Sequence, residues 1–110
     1  MALRRLAMNP LVEDRLAELS EICARRRVKR LELFGSAARS DRFDPDSSDL
    51  DFLVEYQPLE LAEYADAYFG LLFDLERLFA RPVDLLMPTA IRNRYFREAI
   101  DKDRLTLYAA

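Results

Sequence analysis

Apolar and polar positions alternate along this chain with two periods, and they predict eight elements. Asn9 and Pro10 suit an N-cap and a first helical residue. Leu11, Leu16, Leu19, Ile22 and Cys23 then recur with helical spacing to about Arg25. Val28 to Phe34 reads as a strand ending at Gly35, and Ser36 to Arg39 as a short helical turn capped by Ser36. Ser40 to Ser48 is polar and turns at Asp44-Pro45-Asp46. Leu50 to Tyr56 is the most clearly patterned strand. Glu60 to Phe79 is a long helix, with Leu61, Tyr64, Tyr68, Leu71, Leu72, Leu75, Leu78 and Phe79 on one stripe. Arg81-Pro82 breaks it before a short strand, Val83 to Met87, that carries one carboxylate, Asp84. Pro88 and Thr89 open another helix, with Thr89 as N-cap, running through Ile91, Tyr95, Phe96 and Ile100. Leu105 to Tyr108 reads as a final edge strand.

This order predicts an α/β (α+β) fold, a small mixed sheet covered mainly on one face by helices. With 110 residues, 51% of them hydrophobic, the chain is long enough for one core without staples. The net charge of −3 argues against a general nucleic-acid or membrane binder. No apolar run approaches a membrane span and the N-terminus lacks a signal-peptide h-region, so a cytoplasmic protein is expected.

The absence of histidine excludes Ser-His-Asp triads, histidine bases and His-ligated zinc. A single cysteine, Cys23, reads as a small buried hydrophobe in a helix. Chemistry is left to carboxylates, hydroxyls, arginines, backbone amides or a borrowed metal. Asp49 and Asp51 are two apart at a predicted strand, which points both to one side of the sheet. Like charges about 5 Å apart repel by ~3 kcal/mol at an effective dielectric near 20. A hard dication between oxygen ligands removes that cost, though a solvated strand end would also accommodate the pair. Gly35 lets a phosphate approach the backbone, and Ser36 offers a hydroxyl and an amide. Arg39 lies one turn on, within reach of a phosphate or of solvent. Asp84 is conspicuous among Val83, Leu85, Leu86 and Met87, as a third carboxylate or as a partner for Arg81. The basic run Arg25, Arg26, Arg27, Lys29 and Arg30 reads as solvated helix-end cations rather than an RNA surface.

Leu33-Phe34-Gly35-Ser36-Ala37-Ala38-Arg39, followed by Ser48-Asp49-Leu50-Asp51-Phe52-Leu53-Val54, resembles the minimal nucleotidyltransferase (MNT) domain of the DNA polymerase β-like superfamily. Two features depart from the family's pattern. The stretch from Ala37 to Ser48 is longer than the family's usual ten or so residues, and Ser40 stands where glycine is common. The resemblance implies one minimal nucleotidyltransferase domain over residues 1–110. It implies that Gly35 and Ser36 hold a nucleoside triphosphate. It further implies that Asp49 and Asp51 ligate Mg²⁺ (two ions in all), with Asp84 as the third carboxylate near the attacking hydroxyl. ATP would be the substrate. Stand-alone MNT proteins resemble the antitoxins of HEPN/MNT pairs, so the implied partner is a helical HEPN toxin in a hetero-oligomer, with no membrane or direct nucleic-acid contact. The implied activity is transfer of AMP to a toxin hydroxyl, a tyrosine's. The alternatives are a non-catalytic antitoxin that acts by binding, and a transferase with a small-molecule or nucleic-acid acceptor. The long helix suits a binding role, because Ala62, Ala65, Phe69 and Phe73 widen its apolar arc.

Overall fold

A computed structural model describes residues 9–38 and 49–110. Arg39 and the predicted polar loop with its Asp44-Pro45 turn lie outside the described residues. Asn9 caps α1 (Pro10–Glu13), its side chain accepting from the Leu11 N–H at 2.9 Å. The one helix expected down to Arg25 is divided: the chain turns at Asp14–Arg15 and resumes as α2 (Leu16–Arg25). The break falls between Val12 and Leu19, both fully buried, so the bend lies between two core anchors. Strand β1 (Val28–Phe34) follows, then a 3-10 turn (Gly35–Ala37) and β2 (Leu50–Tyr56).

The long helix enters through a 3-10 turn (Leu61–Glu63) and becomes α3 (Tyr64–Phe79). A capping box sets that entry, with the Glu63 carboxylate accepting from the Glu60 N–H at 2.8 Å. Leu61, expected on the buried stripe, is therefore 89% exposed. Strand β3 (Val83–Leu86) comes next. Thr89 does not cap the following helix. Pro88–Ala90 is a separate 3-10 turn, and α4 (Arg94–Asp103) is capped by Asn93, which accepts from the Phe96 N–H at 3.0 Å. The Arg97 guanidinium donates to the carbonyls of Pro88 (2.7 Å) and Ile91 (3.1 Å), and this pins the linker outside the helix. Strand β4 (Leu105–Ala109) completes the expected edge.

The four strands lie in the order β3-β2-β1-β4. β1 pairs antiparallel with both β2 and β4, while β2 and β3, joined across α3, run parallel. The sheet is mixed, as expected. One face carries Leu31, Leu33, Phe52, Val54 and Leu85 against α2 and α3, with Leu19, Cys23, Leu71 and Leu75 opposite. Phe52 stacks on Phe79 with ring centroids 5.9 Å apart. Burial pushes the Cys23 thiol up to about 12, which makes it an inert hydrophobe. The other face is not bare. Phe34, Leu53 and Ile100 form a second, smaller cluster under α4, with Leu86 and Ile91 packed against it.

That second face also buries Glu32, which pairs with Arg104 just beyond the end of α4. Arg104 also bonds Asp101 at 2.8 Å. A buried carboxylate stripped of its partner is expensive, so Arg104→Ala should destabilise the fold by ~3 kcal/mol. Adding Glu32→Gln should recover most of that loss. Urea unfolding of the single and double variants checks this, and a loss that persists in the double variant would mean Arg104 acts through packing alone.

The basic run is not simply solvated. Arg25 and Arg26 bond Asp74 at 3.3 and 2.7 Å, and Arg27 bonds Glu63 at 2.8 Å. Gly70 leaves room for the Arg26 guanidinium, since a Cβ there would lie 2.7 Å from its Cζ and push that side chain aside. On the outer side of α3, Phe69 and Phe73 are 54% and 63% exposed. Among the described residues, no helix is long and apolar enough to cross a membrane.

Candidate active site

Three strand ends meet at one edge of the sheet. The register pairs Phe34 of β1 with Asp51 of β2, and Asp51 with Asp84 of β3. Phe34, Asp51 and Asp84 therefore form one row, and Gly35 begins the turn directly beyond it. The alternation of β2 sends Leu50, Phe52 and Val54 into the main core, as expected. Asp51 is left on the second face, half-buried beside α4, and Asp84 is exposed.

The most intimate carboxylates are not the ones expected from spacing along the chain. Asp49 stands immediately before β2 and is exposed. The intimate pair is Asp51 with Asp84, cross-strand neighbours in the β2/β3 register and close enough for their side chains to share a proton when one carboxyl is protonated. Burial first, then that shared proton, then the charges of Asp84 and Asp49 push the Asp51 carboxyl from 3.8 up to about 6. The pair is a product of the parallel β2/β3 register, which the sequence pattern does not display.

Gly35 is tied to this pair by space. Its φ is 74°, the left-handed region, and a Cβ at this position would overlap Oδ2 of Asp51 and lie 3.3 Å from its Cγ. Only glycine lets the turn pass this close to the carboxylate. Ser36 does not cap a helix: the N-cap position is Phe34, and Ser36 sits within a 3-10 turn too short to carry a macrodipole. It is half-exposed, with a hydroxyl beside Gly35.

A groove of about 220 Å³ runs from this edge toward α4, lined by Phe34, Gly35, Asp51, Phe96, Ala99, Ile100 and Asp103. The hydrophobic pattern alone puts Phe96 in an ordinary apolar helix stripe. Its spacing from Ala99, Ile100 and Asp103 at i, i+3, i+4 and i+7 is the available sign that one helix face turns to this edge.

Among the described residues, no three acidic or cysteine side chains converge as a ready-made metal centre. The donor set nevertheless fits a hard dication. It is all oxygen, it is acidic, and it holds a carboxyl whose ionisation a bound cation would favour. Asp51 and Asp84 supply the core of such a site, and Asp49 stands near enough for its charge to act on Asp51.

Comparison with known proteins agrees with this fold. The family model "Nucleotidyltransferase domain" matches residues 16–107. The Methanocaldococcus jannaschii protein "Putative protein adenylyltransferase MJ1379" is 30% identical over 96 residues, covering 80% of this chain and 93% of its own. A solved structure described as a "putative minimal nucleotidyltransferase" superposes with a TM-score of 0.65 at 25% identity, covering 89% of this chain and 94% of that one. A Shewanella oneidensis complex of a tri-AMPylated HEPN toxin with an MNT antitoxin shares the fold. Its TM-score is 0.55 at 18% identity, covering 94% of this chain and 74% of that one. With the Gly35 turn set against the Asp51–Asp84 pair in a mixed four-stranded sheet, and a family match spanning nearly all the described residues, the chain belongs to the nucleotidyltransferase domain family and is a nucleotidyltransferase.

Proposed function

We propose that this nucleotidyltransferase moves AMP from ATP to a tyrosine hydroxyl of a helical HEPN-type toxin, forming the new phosphoester as the α–β anhydride breaks and pyrophosphate leaves, and is that toxin's antitoxin. The observation that carries the chemistry is the Asp51–Asp84 pair beside Gly35. Support for the acceptor comes from the relative named as a protein adenylyltransferase and from the AMPylated toxin in the similar complex. The exposed Phe69 and Phe73 on α3 offer apolar surface to a protein partner.

In this reading Gly35, Ser36 and Arg39 hold the triphosphate, with Gly35 admitting it to the backbone and Ser36 donating its hydroxyl. Asp49, Asp51 and Asp84 would hold Mg²⁺, which when bound supplies charge neutralisation at the transferring phosphate. Asp51 sits at the centre of the row and fixes the position of the α-phosphate. Asp84, on the outer strand, faces the side where the acceptor hydroxyl enters, and it orients that hydroxyl and accepts its proton. Most of the rate comes from positioning and charge, so the lack of histidine is no obstacle.

The test is incubation with Mg²⁺, ATP and a HEPN-type helical protein, followed by mass spectrometry of that protein. Addition of one or more adenylyl groups to tyrosine is expected. If the partner is neutralised with no mass change, the protein acts by binding alone. Asp84→Asn separates the roles: ATP affinity should change little while the transfer rate falls by ~10²-fold or more. Calorimetry and mass spectrometry on the same variant read both, and an unchanged rate would remove Asp84 from the site.

A further inference from the structure

We infer that the groove between Gly35 and α4 seats the base of the nucleotide, and that Phe96 is the platform on which the base stacks. The inference rests on the catalytic reading above and adds to it the place of the nucleoside. The strand order fixes the direction. Across the sheet the row runs from Asp84 on β3, through Asp51 on β2, to Phe34 and Gly35 on β1. The acceptor enters over Asp84 and the reacting phosphate sits at Asp51; in-line displacement then sends the leaving pyrophosphate the opposite way, toward Gly35 and Ser36, and the nucleoside leaves the row sideways, under α4. The groove opens on that side: Asp51 and Gly35 line it at the row and Phe96, Ala99 and Ile100 line it on α4, while Asp84 does not.

The walls suit a purine. Ile100 is anchored in the second core and holds α4 against the sheet. One turn toward the helix start, Phe96 is 46% exposed at the groove. An aromatic face left this open beside a charged centre is unusual in a core, and it is what a planar base requires. Ala99 keeps the space in front of it clear, and Phe34 closes the floor. The volume of about 220 Å³ admits one base and its ribose edge rather than a folded peptide segment.

The chain contains no tryptophan, so Phe96→Trp introduces a single fluorophore at the proposed platform. Mg-ATP should quench or shift its emission, while Mg-tripolyphosphate, which has no base, should not. Phe96→Ala should weaken Mg-ATP binding about tenfold by calorimetry, with Phe96→Trp restoring it. Because Phe96 is half-exposed, neither substitution should unfold the chain, and thermal melts check that. If Phe96→Ala binds Mg-ATP as the wild type does, the base lies elsewhere and the inference is wrong while the catalytic reading stands. The inference fails in the same way if tripolyphosphate shifts the emission of the Phe96→Trp variant as much as ATP does. It also fails if only transfer to the partner falls, which would assign the groove to the acceptor. If the wild type itself binds no Mg-ATP, the catalytic reading fails and takes this inference with it.

Discussion

Asp51→Asn will abolish nucleotidyl transfer and yet make the ligand-free protein more stable at pH 7.5. The two effects share one cause. In the folded chain the Asp51 carboxyl is raised to about 6 by burial, by its hydrogen bond with Asp84, and by the charges of Asp84 and Asp49. A carboxyl with a folded pKa above its unfolded value favours the fold most below about pH 4, where it is protonated in both states. That advantage is lost as the pH rises from about 4 through about 6, because the unfolded chain ionises first. At pH 7.5 the fold carries a charge it resists, at a cost on the order of 1–2 kcal/mol after solvent screening. Asparagine keeps the shape and cannot ionise, so that cost disappears. Urea melts at pH 4.0 and 7.5 should show the variant's advantage at 7.5 and little difference at 4.0. Transfer should fall by ~10²-fold or more, since the central charge of the row is gone. A variant that is no more stable at pH 7.5 would show that Asp51 is not strained in the apo fold. One that retains transfer would remove Asp51 from the chemistry.

The reverse holds for ligand. If the carboxylates are held apart from their preferred ionisation until a cation arrives, Mg-ATP should stabilise the wild type and not Asp51→Asn. At a ligand concentration about a hundred times the dissociation constant, the gain is ~2.7 kcal/mol. On the proposed reading the site destabilises the apo fold: neighbouring acids on a sheet edge are tolerated where they complete a binding site.

Much of this is legible in the chain, for local reasons. Period-two alternation in Leu50–Tyr56 fixes which β2 residues enter the main core, and the observed burial follows it. Gly35 beside Ser36, with Asp51 on the next strand, points to one edge of the sheet. The features that the chain does not display are set by tertiary contacts. The Asp51–Asp84 pair depends on the parallel register of β2 and β3, and strand spacing along the chain says nothing of register. The second core under α4 arises because Ile100 meets Phe34 and Leu53, residues far apart in sequence. The start of α4 is ambiguous for a different reason: Thr89 and Asn93 are both good caps, and the Arg97 bonds to the carbonyls of Pro88 and Ile91 decide between them. Leu61 fits the helical stripe by count, but the Glu60/Glu63 capping box fixes the entry turn and leaves it outside.

Gly35→Ala will be the most damaging single-methyl change in the chain. Two penalties add. Alanine at a φ of 74° costs about 1–2 kcal/mol against glycine, because its Cβ crowds the neighbouring carbonyl. The same Cβ also overlaps Oδ2 of Asp51, a half-buried carboxylate with Asp84 paired across the strand beside it. Forcing that contact apart costs a further ~1–3 kcal/mol, as overpacking in a tight site does. The total should be ~2–5 kcal/mol, with transfer lost because the carboxylate is driven from its place. A double-mutant cycle tells the two penalties apart. In an Asp51→Ala background the two nearest obstacles, Oδ2 and Cγ, are gone, and the Cβ at position 51 lies at 3.5 Å, an ordinary contact. There Gly35→Ala should cost only the backbone strain of about 1–2 kcal/mol, leaving a coupling of ~1–3 kcal/mol between the positions. Urea denaturation of the four proteins measures it. Strict additivity would mean that the turn and the carboxylate do not touch, and the close approach that defines this site would have to be abandoned.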